Sequence, residues 1–237
     1  LADQNHQVRI QSARVLGDRR IKAAKTQLIE ALTDSHKRVV MYAAIALGRI
    51  AESSALVALY RAIEKNSDQD IWLRHAFVMA LTGIENESWS AALTHKNRSV
   101  RLVALLALRK LRDPQIAFFL EDHDLSLVHE AVRAINDLPI QTANSDLAAY
   151  LEKAALPQTK DKVAMFIHHR IINANFYEGQ QKSVQRLLAF ASRKDIPERL
   201  RQEALAAIEA WHDQDPLDAT TGLPRALTEN RQKIDTQ

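Results

Sequence analysis

Residues Asn97 to Leu108, NRSVRLVALLAL, decide the fold of this chain. A capping Asn opens the stretch. Val100, Ala104 and Leu108 then recur every four residues, which places them on one face of a helix. Taking Val100 as position zero, the same 0, +4, +8 pattern starts at 8, 39, 73, 100, 127, 163 and 200. The spacings of 31, 34, 27, 27, 36 and 37 residues are those of helical repeats. Two further columns support the register. Asn5, Asp70, Asn97 and Asp124 each stand three residues before a zero position, where a side chain can cap the first free backbone N–H groups. The +7 column reads Val15, Ala46, Ala80, Ala107, Ala134, Arg170 and Ala207, small enough for the most part to let a second helix come close.

Shorter amphipathic stretches lie between these helices, at Ile21–Leu32, Ser54–Ile63, Trp89–Leu93, Gln115–Leu120, Asp146–Ala155 and Ser183–Ala191. Each repeat therefore reads as an antiparallel helix pair. Such a pair cannot bury its apolar face alone and must stack on its neighbours. The expected fold is all-α, an α-α superhelix of about seven pairs with the first incomplete. Its array spans residues 1–211 and is followed by an irregular tail or linker, 212–237. Gly17 and Gly48 share position +9 and suit helix C-termini. Pro139 to Asn144 and Pro157 to Lys160 read as turns. Leu217, Leu223 and Leu227 could fold the tail over the last repeat. The chain starts inside a repeat, with no initiator Met, which is expected of a piece of a longer chain.

Composition narrows the functional classes. The 237 residues hold no Cys, so disulfides, zinc–thiolate sites and covalent haem attachment are excluded within them. No apolar run is long enough to span a membrane. Lys and Arg number 32 against 29 Asp and Glu, a mixed surface that makes nucleic acid an unlikely partner. A serine or cysteine nucleophile motif, a phosphate-binding glycine loop and HExxH are all missing. The segment is read as non-catalytic, with no cofactor and no metal of its own.

The Val-Arg-x-x-Ala core after a capping Asn or Asp resembles the HEAT repeat in its short bacterial form, over about residues 1–211. That resemblance is strong for the fold and nearly silent on function; the expected job is an interaction or scaffold module for protein domains. A narrower one rests on HHRIINANFYEGQQ, PERLRQEALAAIEAW and DPLDATTGLPRAL. These resemble the HEAT segment of membrane-associated or periplasmic dehydrogenase-like proteins of planctomycetes, through Asn173, Ala174, Asn175, Phe176, Trp211, Asp218, Gly222 and Arg225. In that family a HEAT region joins a propeller to a cytochrome c domain, and the last of these residues mark the exit from the array. The resemblance implies partners in the same parent chain and a periplasmic or membrane-associated location. Neither a propeller nor Cys-x-x-Cys-His occurs here. Two alternatives stay open: a nucleic-acid-binding HEAT protein of the DNA-glycosylase type, and a tetrapyrrole lyase or chaperone.

Candidate sites follow from columns that break their pattern. Position +1 carries Arg9, Arg74, Arg101 and Arg201, which could face a partner or form a structural ladder to the next repeat. His168, in an otherwise apolar +5 column, and its neighbour His169 make a possible polar site or a buried hydrogen bond. Asp122, His123, Asp124 and His129 cluster as possible ligands in an ordinary turn. Trp72, His75 and Trp89 could form an aromatic patch or pack between helices.

Overall fold

The computed structural model describes residues 1–153, 162–212 and 217–234. These are all-α, in the helix pairs that the periodicity predicts. The one β feature among them is an isolated antiparallel bridge between Leu217 and Pro224. The chain forms two compact units, Leu1–Leu111 and Arg112–Gln237.

The first unit contains α1 (His6–Asp18), α2 (Lys25–Ala31), α3 (Lys37–Arg49), α4 (Leu56–Asn66), α5 (Ile71–Gly83) and α6 (Arg98–Leu111). Helices α1, α3, α5 and α6 stack side by side as one layer, and α2 and α4 pack behind them. The second unit contains α7 (Leu125–Asp137), α8 (Gln141–Ala149), α9 (Lys162–Glu178), α10 (Gln181–Ser192) and α11 (Glu198–Glu209). There α7, α9 and α11 form one layer, with α8 and α10 behind. The zero, +4 and +8 residues of α3 and α6 (Val39, Ala43, Leu47, Val100, Ala104 and Leu108) are each 0% exposed, so this column is the core stripe.

All four expected caps form. Asn5 accepts from the Gln7 N–H, Asp70 from Trp72 and Leu73, Asn97 from Ser99, and Asp124 from Ser126. The partners at Trp89–Leu93 and Gln115–Leu120 are tight 3-10 segments, Asn86–Ala92 and Pro114–Glu121. The 27-residue spacings explain this. A 3-10 turn rises about 2.0 Å per residue against about 1.5 Å for an α-helix, so a short segment reaches further across the layer.

Three sequence readings need correction. The turn at Pro139–Asn144 is shorter than expected, because α8 begins at Gln141. Gly17 and Gly48 do lie in the last turns of α1 and α3, but neither has a positive φ, so neither is the left-handed cap. The left-handed positions after α1 and α3 belong to Arg20 and Ala51. The glycines serve packing instead. A Cβ on Gly17 would stand 2.7 Å from the Ala46 Cβ, and one on Gly48 would stand 2.7 Å from the Ala80 Cα. Position +9 of one helix thus sits on position +7 of the next, at a distance no side chain allows. Third, two of the tail's three leucines face solvent: Leu217 and Leu223 are 51% and 61% exposed, and Leu227 alone is half-buried. The expected turn at Pro157–Lys160 lies outside the described residues.

Candidate functional site

The +1 arginines lie in the first turn of their helices, and Arg9, Arg74 and Arg101 reach back over the turn that precedes it. Arg9 forms a two-point pair with Asp34, at 2.7 and 3.0 Å, and its Nη1 donates to the Asp3 and Gln4 carbonyls. The bond to Arg9 holds the Asp34 carboxyl below its ordinary range, despite partial burial. Arg74 Nη1 donates to Asp68 at 2.6 Å. Arg101 Nη1 donates to the His95 and Lys96 carbonyls at 2.9 and 3.3 Å, and the residue is only 4% exposed. These three cations satisfy turn carbonyls and carboxylates that would otherwise be left over. One of them, Arg9, also links its repeat to the next. In the second unit the Arg201 Nε is buried with no hydrogen-bond partner.

His168 is 0% exposed on α9 and faces Phe190 of α10, with ring centroids 5.9 Å apart. Its Nδ1–H donates to the Ala164 carbonyl at 2.6 Å, and its Nε2 is buried without a partner. Burial lowers its pKa, so the ring is held neutral. His169 turns the other way, and its Nδ1–H donates to Glu203 of α11 at 2.5 Å. The two rings do not converge.

The turn cluster is spent on local structure. Asp122 accepts from the Asp124 N–H, Asp124 caps α7, and the His129 ring tilts against Phe166 at 4.8 Å. Among the described residues no three His, Cys, Asp or Glu stand where they could share a metal ion. The aromatic trio separates as well. Trp89 is 1% exposed and donates its indole N–H to the Ile84 carbonyl. Trp72 is 70% exposed, beside exposed Ile71 and His75.

The densest polar assembly joins the tail to α7 and α9. Asp218 is 2% exposed. It accepts from Asn173 Nδ2 at 2.8 Å, from Arg225 Nη1 at 3.1 Å, and from Thr220 and Thr221 N–H groups, both at 2.9 Å. Burial pushes its pKa up, but the bonds from Thr220, Asn173 and the backbone outweigh it and bring the carboxyl down to about 2. Asn136 of α7 bridges Asn173 and Thr220 at 2.9 and 2.8 Å. Arg225 also lies over the Tyr177 ring at 3.9 Å. Further along, Arg231 donates to the Phe176 and Trp211 carbonyls, both at 2.7 Å, and stacks on both rings. Of this assembly the sequence marked Asn173, Phe176, Trp211, Asp218 and Arg225 through the narrower resemblance alone. Asn136 went unnoticed, although it occupies the +9 position that holds glycine in α1 and α3.

The arrangement defines an all-α helical-repeat protein, whose polar side chains cap helices, satisfy turns and join neighbouring helices. Residues 1–82, which cover α1 to α5, match the family model of HEAT repeats. A solved crystal structure of an engineered protein is similar over 79% of this chain and 98% of its own, at 19% identity and a TM-score of 0.38. Comparison with curated proteins gave no match. None of these comparisons bears on the narrower redox-protein resemblance.

Proposed function

We propose that the chain is a non-catalytic scaffold that binds a partner protein domain on the exposed side of the α1, α3, α5 and α6 layer. The observation that carries this is Trp72, 70% exposed at the start of α5. A large aromatic side chain left in water is a natural anchor for an interface. The partly exposed Tyr42, Ile45, Met79 and Leu106 continue an apolar strip along the same layer. Exposed Arg14, Arg38 and Arg49 flank it, and among the described residues Arg38 has no ion pair. An acidic, partly apolar segment fits this face. Arg9, Arg74 and Arg101 serve the turns, which leaves Trp72 and Arg38 as the stronger contact candidates on this layer.

We further propose that the partner belongs to the same parent chain, an exported dehydrogenase-like haem protein. The resemblance of residues 168–181, 197–211 and 215–227 supports that reading. In it the array holds a propeller and a cytochrome domain in fixed relation. The test uses the native polypeptide, its mass and a haem stain on a denaturing gel. A mass far above 26.7 kDa with covalent haem is expected. A native chain of this size without haem overturns the redox reading. A photo-crosslinking residue placed at position 72 tests the face itself. Cross-links from it into another domain of the parent chain support the assignment, and none under native conditions removes it.

A further inference from the structure

The seam between α9 and α11 lacks the side chains that fill the seam between α7 and α9. At positions +6, +7 and +10, α9 carries His169, Arg170 and Asn173, whereas α11 carries Ala206, Ala207 and Ala210. Where the long side chains stop, a half-open cavity of about 240 Å³ is left. Ile172 and Phe176 of α9, the three alanines of α11 and Leu217 of the tail form its apolar walls. An engineered cavity of about 150 Å³ takes a benzene ring, so this one has room for a ring and a small polar group.

Two residues on the wall carry an unused oxygen. In the α7–α9 seam the +10 residue, Asp137, receives the guanidinium of Arg170, the +7 residue of the next helix, at 2.9 Å. In the α9–α11 seam the +10 residue is Asn173, and the +7 residue, Ala207, has nothing to donate. Asn173 is 5% exposed, lines the cavity and spends its Nδ2 on Asn136 and Asp218. Its Oδ1 accepts no hydrogen bond among the described residues, and it is not sealed from solvent. Glu203, at +3 of α11, lines the cavity too. It takes the His169 Nδ1–H on Oε2 at 2.5 Å, and its Oε1 accepts nothing among the described residues. That bond leaves the carboxylate its charge wherever His169 is neutral.

Glu203 is the one charged side chain among the described residues that line the cavity. The neighbouring tail cations are committed elsewhere, Arg225 to Asp218 and Arg231 to the Phe176 and Trp211 carbonyls. An anion would meet a carboxylate and an amide oxygen. A purely apolar molecule would leave both oxygens unmet. A cation on an apolar body suits the walls and both acceptors. Arg170 shows the same arrangement one helix earlier, its guanidinium paired with the +10 residue and lying 3.3 Å from the centre of the Phe166 ring. We propose that the α9–α11 cavity binds a small organic cation, a guanidinium or primary ammonium on a short apolar body, where the preceding seam has Arg170. The site is separate from the Trp72 face and does not rest on that reading.

Calorimetry and proton NMR on the full chain test this with benzylguanidinium, against phenylacetate and benzyl alcohol as its anionic and neutral counterparts. Saturable benzylguanidinium binding is expected, about tenfold or more tighter than either counterpart. Ala207→Arg supplies the guanidinium from the protein itself and should abolish the binding, with the unfolding temperature held or raised. Glu203→Gln keeps an acceptor for His169 but removes the charge, and should weaken binding by about tenfold with the helical circular dichroism unchanged. No saturable benzylguanidinium binding, equal binding of either counterpart, or binding that survives both variants would each overturn the assignment.

Discussion

The two units solve the same contact in opposite ways. In the first, position +9 of one helix meets position +7 of the next as Gly17 on Ala46 and Gly48 on Ala80, with the backbones as close as sterics allow. In the second, α7 and α9 meet at adjacent positions through long polar side chains. Asn136, at +9, accepts from Asn173, at +10, and Arg170, at +7, holds both oxygens of Asp137, at +10, at 2.9 Å. Arg170 is 6% exposed and lies 3.3 Å from the centre of the Phe166 ring. The first contact is fixed by shape and the second by hydrogen bonds. Shape contacts fail when volume is added. Hydrogen-bonded contacts fail when a partner is removed and its complement stays buried.

The largest expected effect is therefore in the second unit. Asp218→Ala removes the acceptor of two backbone N–H groups and of Asn173 and leaves the buried Arg225 charge without its carboxylate, and should cost about 3–5 kcal/mol. Hydrogen exchange should show lost protection in α7, α9 and the tail, while α1 to α5 keep theirs. An even loss across both units would break the distinction. The mirror experiment is Gly48→Val, which drives a side chain into the α5 backbone and should cost about 1–3 kcal/mol, read as exchange in α3 and α5. If Gly48→Val proves neutral while Asp218→Ala is severe, shape is not what fixes the first unit.

Acid separates the units again. His168 is buried with its pKa lowered, so the unfolded chain takes up a proton more readily than the folded one. Its contribution is whole above the ordinary histidine pKa and is lost as pH falls below about 6.5. Urea unfolding between pH 7.5 and 5.5 should show the second unit weakening, and His168→Phe should flatten that dependence. An unchanged slope in the variant would assign the acid sensitivity elsewhere. Asp218 works in a lower window. Its carboxyl sits at about 2, below the ordinary aspartate value, so its stabilisation is full above about 4 and fades as pH falls toward 2.

The repeats were legible because their rule is local. A cap, a four-residue stripe and a small residue at +7 recur within single helices, and Asn97, Val100 and Ala107 announce all three. The reason for Gly17 and Gly48 was not legible. A glycine near a helix end signals a cap from one strand of sequence, whereas its true neighbour, Ala46 or Ala80, lies about thirty residues away. The tail was misread for a related reason. Leucines in a tail suggest burial, but Asp218 reaches Asn173 across 45 residues and Arg225 reaches Asn136 across 89. Polar pairs at such separations leave no periodic trace. His168 stood out as a break in an apolar column, and what it touches, Ala164 and Phe190, needed the fold.

The smallest effect on stability belongs to Trp72, and it sharpens the contrast between holding the fold and using it. The side chain is 70% exposed, and its backbone N–H alone takes part in the Asp70 cap. Trp72→Ala removes little buried area, so the free energy of unfolding should change by about 0.5 kcal/mol or less. Trp89→Ala, in the same unit, deletes a 1% exposed indole and should cost about 3–5 kcal/mol. The two tryptophans thus form an internal control. If the first unit binds its partner through this layer, Trp72→Ala weakens association, measured by calorimetry against the adjoining parent-chain domain, without touching the fold. Should Trp72→Ala destabilise the protein as much as Trp89→Ala, the indole is packed and cannot be the anchor.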